Sequence, residues 1–152
     1  FTTDYAPLAD CDLVIEAVIE DLEAKKKVLA ELENVIKKDF IFASNTPSLS
    51  IAKMAEAARN PETVVGIHFF NPVHKMPLVE IIRYSKTSEQ TVAQAMKFAM
   101  DLDKTTVICK DSPGFIVNRI LAPYMREAAV LAAEGVAVED IDKAMKSFGM
   151  PM

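Results

Sequence analysis

Glycine is scarce in this chain of 152 residues: Gly66, Gly114, Gly135 and Gly149 are all it has. No GxGxxG turn can be assembled from them, so the phosphate-cradling loop of a dinucleotide fold is not among these residues. Cysteine and histidine are equally thin, at two each. Cys11 and Cys109 stand too far apart to suggest a disulfide framework or a metal-ligand pair, and they read as reduced thiols of a cytosolic protein. His68 and His74 come with no HExxH or CxxC pattern, so no metal is expected. No apolar run approaches the roughly 18 residues of a membrane-spanning helix, and no leader of basic then apolar residues opens the chain. Positive charge is not in excess either. A net charge of -5 and a pI near 5.1 argue against a nucleic-acid surface, while leaving room for a small anion held by local donors.

What is present is a soluble, globular composition, 51% hydrophobic and 26% charged, which is well outside the disordered class. The length suits one full domain or one domain with part of another. The chain opens on Phe1 instead of Met and stops at "FGMPM", directly after a helical pattern, so we expect a piece of a longer protein.

Strands and helices alternate. "DLVIEAV" (12–18) reads as a strand, and 21–38 as an amphipathic helix with Leu22, Val28, Leu29, Leu32, Val35 and Ile36 at helical spacing. Strands follow at 40–44, 63–69, 78–84 and 105–109, with helices at 50–58 and about 88–102. Such alternation implies a sheet covered on both faces, its first three strands parallel through right-handed crossovers. The nine residues between His68 and Leu78 are too few for a helical crossover, so the fourth strand is expected to return antiparallel and mark the sheet edge. After residue 110 the texture turns helical. Ser112 and Pro113 suit an N-cap and first helical position, Pro123 suits a kink, and Gly135 a C-terminal stop. The expected class is α/β: a partial Rossmann-like, doubly wound sheet over 1–110, then the start of an all-α domain over 111–152.

"GIHFFNPVHKMPLVEII" (66–82) places an imidazole and a carboxylate within apolar strand. Charges in such company are costly unless paired. Side-chain alternation puts Leu78, Glu80 and Ile82 on one face, and His68 on the adjoining strand is the natural donor to Glu80. Such a pair fixes the histidine tautomer and leaves its second nitrogen free for a proton, which suits general base work. From spacing alone, a buried structural histidine beside a strand-edge carboxylate explains the pattern better. His74 is assigned to a polar loop.

Taken together, "HFFNPVHKMPLVEII", "VIEAVIEDLEAKK", "FASNT" and "DSPGFIVNR" resemble the 3-hydroxyacyl-CoA dehydrogenases, in particular the dehydrogenase portion of multifunctional fatty-acid-oxidation enzymes. The likeness runs in order along essentially the whole chain. It implies oxidation of an (S)-3-hydroxyacyl-CoA to the 3-ketoacyl-CoA with NAD as cofactor. His68 would be the general base, Glu80 its orienting partner, and Asn118, in the second turn of the helix after "SPGF", a substrate-binding and catalytic donor. Val18, Ile19, Glu20, Lys25 and Asn71 would bind the cofactor, at strand ends where such ligands lie. The bland alternatives are a solvated helix face for Lys25, a turn residue for Asn71 and a helix-surface residue for Asn118. The resemblance further implies a small-molecule acyl-CoA partner, and a homodimer or larger complex in the full-length parent.

The sequence departs from the family in two places. A serine usually follows "SNT", but Pro47 stands there, with neither hydroxyl nor N–H, so reduced activity or an altered substrate fit is expected unless Ser48 substitutes. Thr46 and Pro47 would then open the next helix. The glycine-rich loop is also absent, so this chain alone is expected to bind NAD weakly. Two other readings stay open: a single-function 3-hydroxybutyryl-CoA dehydrogenase, and a non-catalytic relative that keeps the fold for binding or structure.

Overall fold

A computed structural model describes residues 1–150. The chain forms two compact units, Phe1–Phe115 and a second beginning at Ile116. In the first, strands β1 (Leu13–Glu16), β2 (Ile41–Ser44), β3 (Val64–Phe69), β4 (Leu78–Arg83) and β5 (Thr105–Lys110) form one sheet in that spatial order. β1, β2 and β3 are parallel, β4 returns antiparallel to β3, and β5 lies parallel to β4. The expected reversal at β4 is present, but β4 is not an edge. Helix α3 (Glu89–Asp101) carries the chain back across the sheet, so β5 can add outside β4 in the same direction.

The helices cover both faces. α1 (Leu22–Val35) and α2 (Ile51–Ala55) lie to one side, α2 packing on β3 and α1 on α2. α3 covers the other side. Strand alternation sorts the core accordingly. Ile41, Ala43, Val65, Ile67, Val79 and Ile81 pack with Val92, Ala95 and Ala99 of α3. Their neighbours Phe42, Ser44, Val64, Gly66, His68, Glu80 and Ile82 therefore face the α1–α2 side. β2 is wholly buried, as a central parallel strand should be, whereas Leu13, Val14 and Ile15 of β1 are only half-buried.

Helix starts follow capping chemistry. Asp21 accepts from the Ala24 N–H to open α1, Ser50 from Lys53 to open α2, and Ser88 from Thr91 to open α3. α2 therefore starts at Ile51, and Thr46 and Pro47 do not begin it. Thr46 instead closes a turn, its Oγ1 accepting from the Ser48 and Leu49 N–H groups at 3.2 and 2.8 Å.

The second unit holds α4 (Val117–Ala133) and α5 (Val138–Phe148). Ser112 and Pro113 do not start α4. The Phe115 N–H donates to the Ser112 carbonyl at 2.8 Å, and Gly114 and Phe115 take positive φ of 75° and 48°, which no helix can follow. Asn118 accordingly falls in the first turn, not the second. The helix runs continuously through Pro123 and ends before Gly135, whose φ of 96° suits glycine.

Candidate active site

Register builds the central pair. His68 of β3 and Glu80 of β4 are direct partners across the antiparallel ladder, so their side chains leave the same face side by side. Nδ1 of His68 lies 2.8 Å from Oε2 of Glu80, with His68 7% and Glu80 0% exposed. A carboxylate only accepts, so Nδ1 carries the hydrogen and Nε2 presents its lone pair. No described residue hydrogen-bonds Nε2, and since no buried side-chain nitrogen or oxygen among those residues lacks a partner, Nε2 reaches solvent. Phe70 and Phe115 flank the imidazole, with ring centroids 4.6 and 5.9 Å away. The arrangement is a base oriented from behind and open at one nitrogen. His74 lies exposed in the loop that joins β3 and β4.

Two residues before the histidine, on the same strand face, the backbone itself is crowded. A Cβ on Gly66 would sit 2.8 Å from Ile82 Cβ and 3.1 Å from Ile51 Cδ1. Glycine here lets α2 and the Ile82 side chain close over the sheet next to the pair.

A second polar group lies at the C-terminal ends of β1 and β2. Glu16 ends β1 at 3% exposure; its Oε1 accepts from the Val18 N–H and from Lys25 Nζ, both at 2.7 Å, and its Oε2 accepts from Ser44 Oγ at 2.7 Å. Lys25, 1% exposed, also donates to the Val18 carbonyl at 3.3 Å and pairs with Glu20 Oε2 at 3.4 Å. The hydroxyl of Thr46 donates to the other Glu20 oxygen. From the next loop, Asn45 Oδ1 accepts from the Phe69 N–H at 2.9 Å, directly before the aromatic that flanks His68. Among residues expected to meet the cofactor, Val18 and Ile19 are exposed apolar side chains, at 44% and 72%. Glu20 borders them. Lys25 is neither solvated nor open, and Asn71 is exposed in the 70–77 loop, preceding Pro72 through a cis peptide. Asn118 belongs to the second unit.

Reasoning from the sequence missed Glu16, Ser44, Thr46 and Asp111. Asp111 accepts from Ser50 Oγ and from the Ile51 and Ala52 N–H groups at 2.8, 3.1 and 2.8 Å, which ties the end of β5 to the start of α2. For Glu16 a signal existed: a lone carboxylate within "LVIEAV" demands a buried partner. Nothing marks Asp111, because its partners lie about sixty residues back.

The strand ends thus offer a ligand an exposed apolar pair beside polar side chains, which fits the flat rings of a dinucleotide. No glycine-rich turn for its diphosphate occurs among the described residues. No group of three or more potential metal ligands is found among them, and no helix there is long and apolar enough to cross a membrane.

A sheet whose parallel strands end in such loops is Rossmann-like, and a histidine held by a carboxylate lies on it. Residues 1–112 match the 3-hydroxyacyl-CoA dehydrogenase NAD-binding domain, and residues 114–152 match the 3-hydroxyacyl-CoA dehydrogenase C-terminal domain. The chain belongs to the 3-hydroxyacyl-CoA dehydrogenase family. It is 51% identical over 151 residues to the fatty acid oxidation complex subunit alpha of Shewanella loihica, covering 99% of this chain and 21% of that protein. The chain thus spans about a fifth of the length of the curated relatives it matches. Among solved structures, FadB2 of M. tuberculosis is 45% identical with a TM-score of 0.95, covering 100% of this chain and 55% of that one. (S)-3-hydroxybutyryl-CoA dehydrogenase from Ralstonia eutropha is 41% identical with a TM-score of 0.92, covering 99% and 54%.

Proposed function

We propose that the protein carrying this chain oxidises (S)-3-hydroxyacyl-CoA to 3-ketoacyl-CoA with NAD⁺ in fatty-acid β-oxidation, and that His68 is its general base. The observation that carries this reading is the buried 2.8 Å contact between His68 Nδ1 and Glu80 Oε2, with Nε2 left open. In the oxidation, Nε2 takes the proton of the substrate's 3-hydroxyl as the C3–H bond breaks. When bound, NAD⁺ supplies the acceptor for the hydride leaving C3. Glu80 holds the Nδ1–H throughout and offsets the imidazolium charge that forms. In the reverse direction His68 returns the proton. Phe70 and Phe115 flank the ring with apolar surface, which supports the His68–Glu80 interaction.

The cofactor reading assigns Val18, Ile19, Glu20 and Lys25 at the end of β1 and the start of α1 to NAD, together with Asn71 beside His68. Asn118 is assigned to the substrate. The NAD-binding part is taken as 1–110 and the start of the helical substrate and dimerisation domain as 111–152. A homodimer or larger complex of the full-length protein belongs to the same reading. The unpaired Cys11 and Cys109 support a cytoplasmic location.

The test is His68→Gln in the full-length protein, followed by NADH absorbance with acetoacetyl-CoA. Turnover should fall about 10²–10⁴-fold, the usual contribution of general acid–base catalysis, while NADH binding is retained. A variant turning over at the parental rate removes the base assignment.

A further inference from the structure

After β5 the chain makes one tight turn. The Phe115 N–H donates to the Ser112 carbonyl at 2.8 Å, and Pro113 in second place with Gly114 at a φ of 75° in third suits a type II turn. Pro113 at the tip is exposed, whereas Phe115 is 3% exposed and lays its ring 5.9 Å from the imidazole of His68. Phe115 holds a φ of 48°. A bulky side chain keeps that left-handed conformation only where its surroundings overdetermine it, and such residues gather at functional sites.

What overdetermines it starts at Asp111. Its N–H donates to the Arg83 carbonyl at 3.0 Å, and its carboxylate accepts from Ser50 Oγ and from the Ile51 and Ala52 N–H groups at 2.8, 3.1 and 2.8 Å. Those two N–H groups belong to the first turn of α2, where a helix supplies no partners of its own. Ser50 already caps α2 by accepting from the Lys53 N–H, so Asp111 adds a second, long-range anchor. α2 is fixed in turn by Ile51, which is 0% exposed and fills the space over Gly66, two residues before His68 on the same strand face. The contacts close a circuit. β3 seats α2, α2 holds Asp111, and the turn that follows Asp111 returns Phe115 to the histidine of β3.

We propose that Asp111 is a positioning residue for the proton transfer: by pinning the base of the 112–115 turn to α2, it holds the Phe115 ring against His68 and so fixes the tilt of the imidazole. One hydrogen bond to Glu80 sets the tautomer of that ring but not its tilt. The tilt decides where Nε2 points, and small errors in the placement of a reacting group cost rate out of proportion to their size. This rests on the reading of His68 as the general base.

The experiment uses the full-length protein and its Asp111→Asn, Phe115→Leu and Asp111→Asn/Phe115→Leu variants. Asparagine keeps the shape but turns an NH₂ group toward N–H donors. The readouts are turnover of acetoacetyl-CoA with NADH, NADH affinity, thermal unfolding, and amide hydrogen exchange over 112–115. Asp111→Asn and Phe115→Leu should each lower kcat roughly tenfold or more, with KM and NADH affinity held within about twofold. Asp111→Asn should also speed exchange over 112–115. The double variant should turn over no more slowly than Phe115→Leu alone, because both changes act through one contact. Should Asp111→Asn fail to fold, Ser50→Ala, which removes one of the three donors to the carboxylate, carries the same comparison with Phe115→Leu. Three results overturn the proposal. Parental kcat at a lowered unfolding temperature makes Asp111 structural only. Losses that multiply in the double variant mean that Asp111 acts by a route other than Phe115. Parental kcat in Phe115→Leu means that the ring does not orient the base. Parental turnover in His68→Gln instead brings down the base reading itself, and this inference with it.

Discussion

Glu80 lies at 0% exposure with an imidazole 2.8 Å away, and what it does there depends on its accepting and never donating. Glu80→Gln preserves the shape but brings an NH₂ group that can face Nδ1 and favour the opposite tautomer, with Nε2 protonated. Turnover should then fall about 10²-fold or more, with NADH affinity unchanged, as stopped-flow and binding measurements would show. Equal turnover would mean that the carboxylate does not set the tautomer. At this scale the sequence was partly legible. His68 and Glu80 stood out as charges in apolar strand and their pairing could be expected, but spacing alone favoured a structural pair, and the active-site reading came from the family resemblance. For Lys25 the solvated face that "AKKKV" suggests is overturned, because the side chain is 1% exposed. Only the fold brings Glu16, nine residues earlier, over the first turn of α1.

Among the elements, α2 is the shortest helix beside the pair and the most dependent on others. Its N-terminal N–H groups are satisfied by Asp111, and its Ile51 fills the space above Gly66. Gly66→Ala drives a methyl to 2.8 Å from Ile82 Cβ, a branched atom fixed to its strand. Overpacking of this kind should cost about 1–3 kcal/mol in urea unfolding and loosen the β3–β4 ladder that holds His68. A parental midpoint would show that the strands part without strain. The order and type of elements could be read from hydrophobic period, and most boundaries fell within one or two residues. The exceptions are instructive. α4 starts four positions beyond Pro113, because Gly114 and Phe115 adopt positive φ, and Thr46 caps a turn where a helix was expected. Proline and hydroxyl signals mark helix starts and turns alike, and neighbouring backbone decides between them.

Across the whole first unit, the sheet was legible as α/β with a reversal at β4, whereas the place of β5 was not. A strand's neighbour is a long-range choice, made by burial of both faces, and local pattern carries no information on it. β5 places Cys109 in the interior, with Sγ 3.8 Å from the Ile81 carbonyl, where burial pushes the thiol up to about 12 from its ordinary 9.0. Below pH 9 the thiol is protonated in both folded and unfolded chains, and stability is unaffected. Between about 9 and 12 the unfolded chain ionises while the folded one resists, so stability drains away as pH rises. Cys109→Ala should therefore lower stability at neutral pH by a small cavity cost and flatten this alkaline loss. Paired urea titrations at pH 7 and pH 10.5 would measure both, and identical alkaline slopes in parent and variant would contradict the assignment.

The turn of direction between β3 and β4 has a further consequence. Because ladder register fixes His68 against Glu80, the exposed 70–77 connection bears none of the burden of aligning them. Residues 73–77 can therefore change length or side chains without parting His68 from Glu80, whereas Phe70, whose ring lies against the imidazole, cannot be exchanged so freely. A hairpin of this kind keeps its fixed part in the strands and leaves the outer end of its connection open to change.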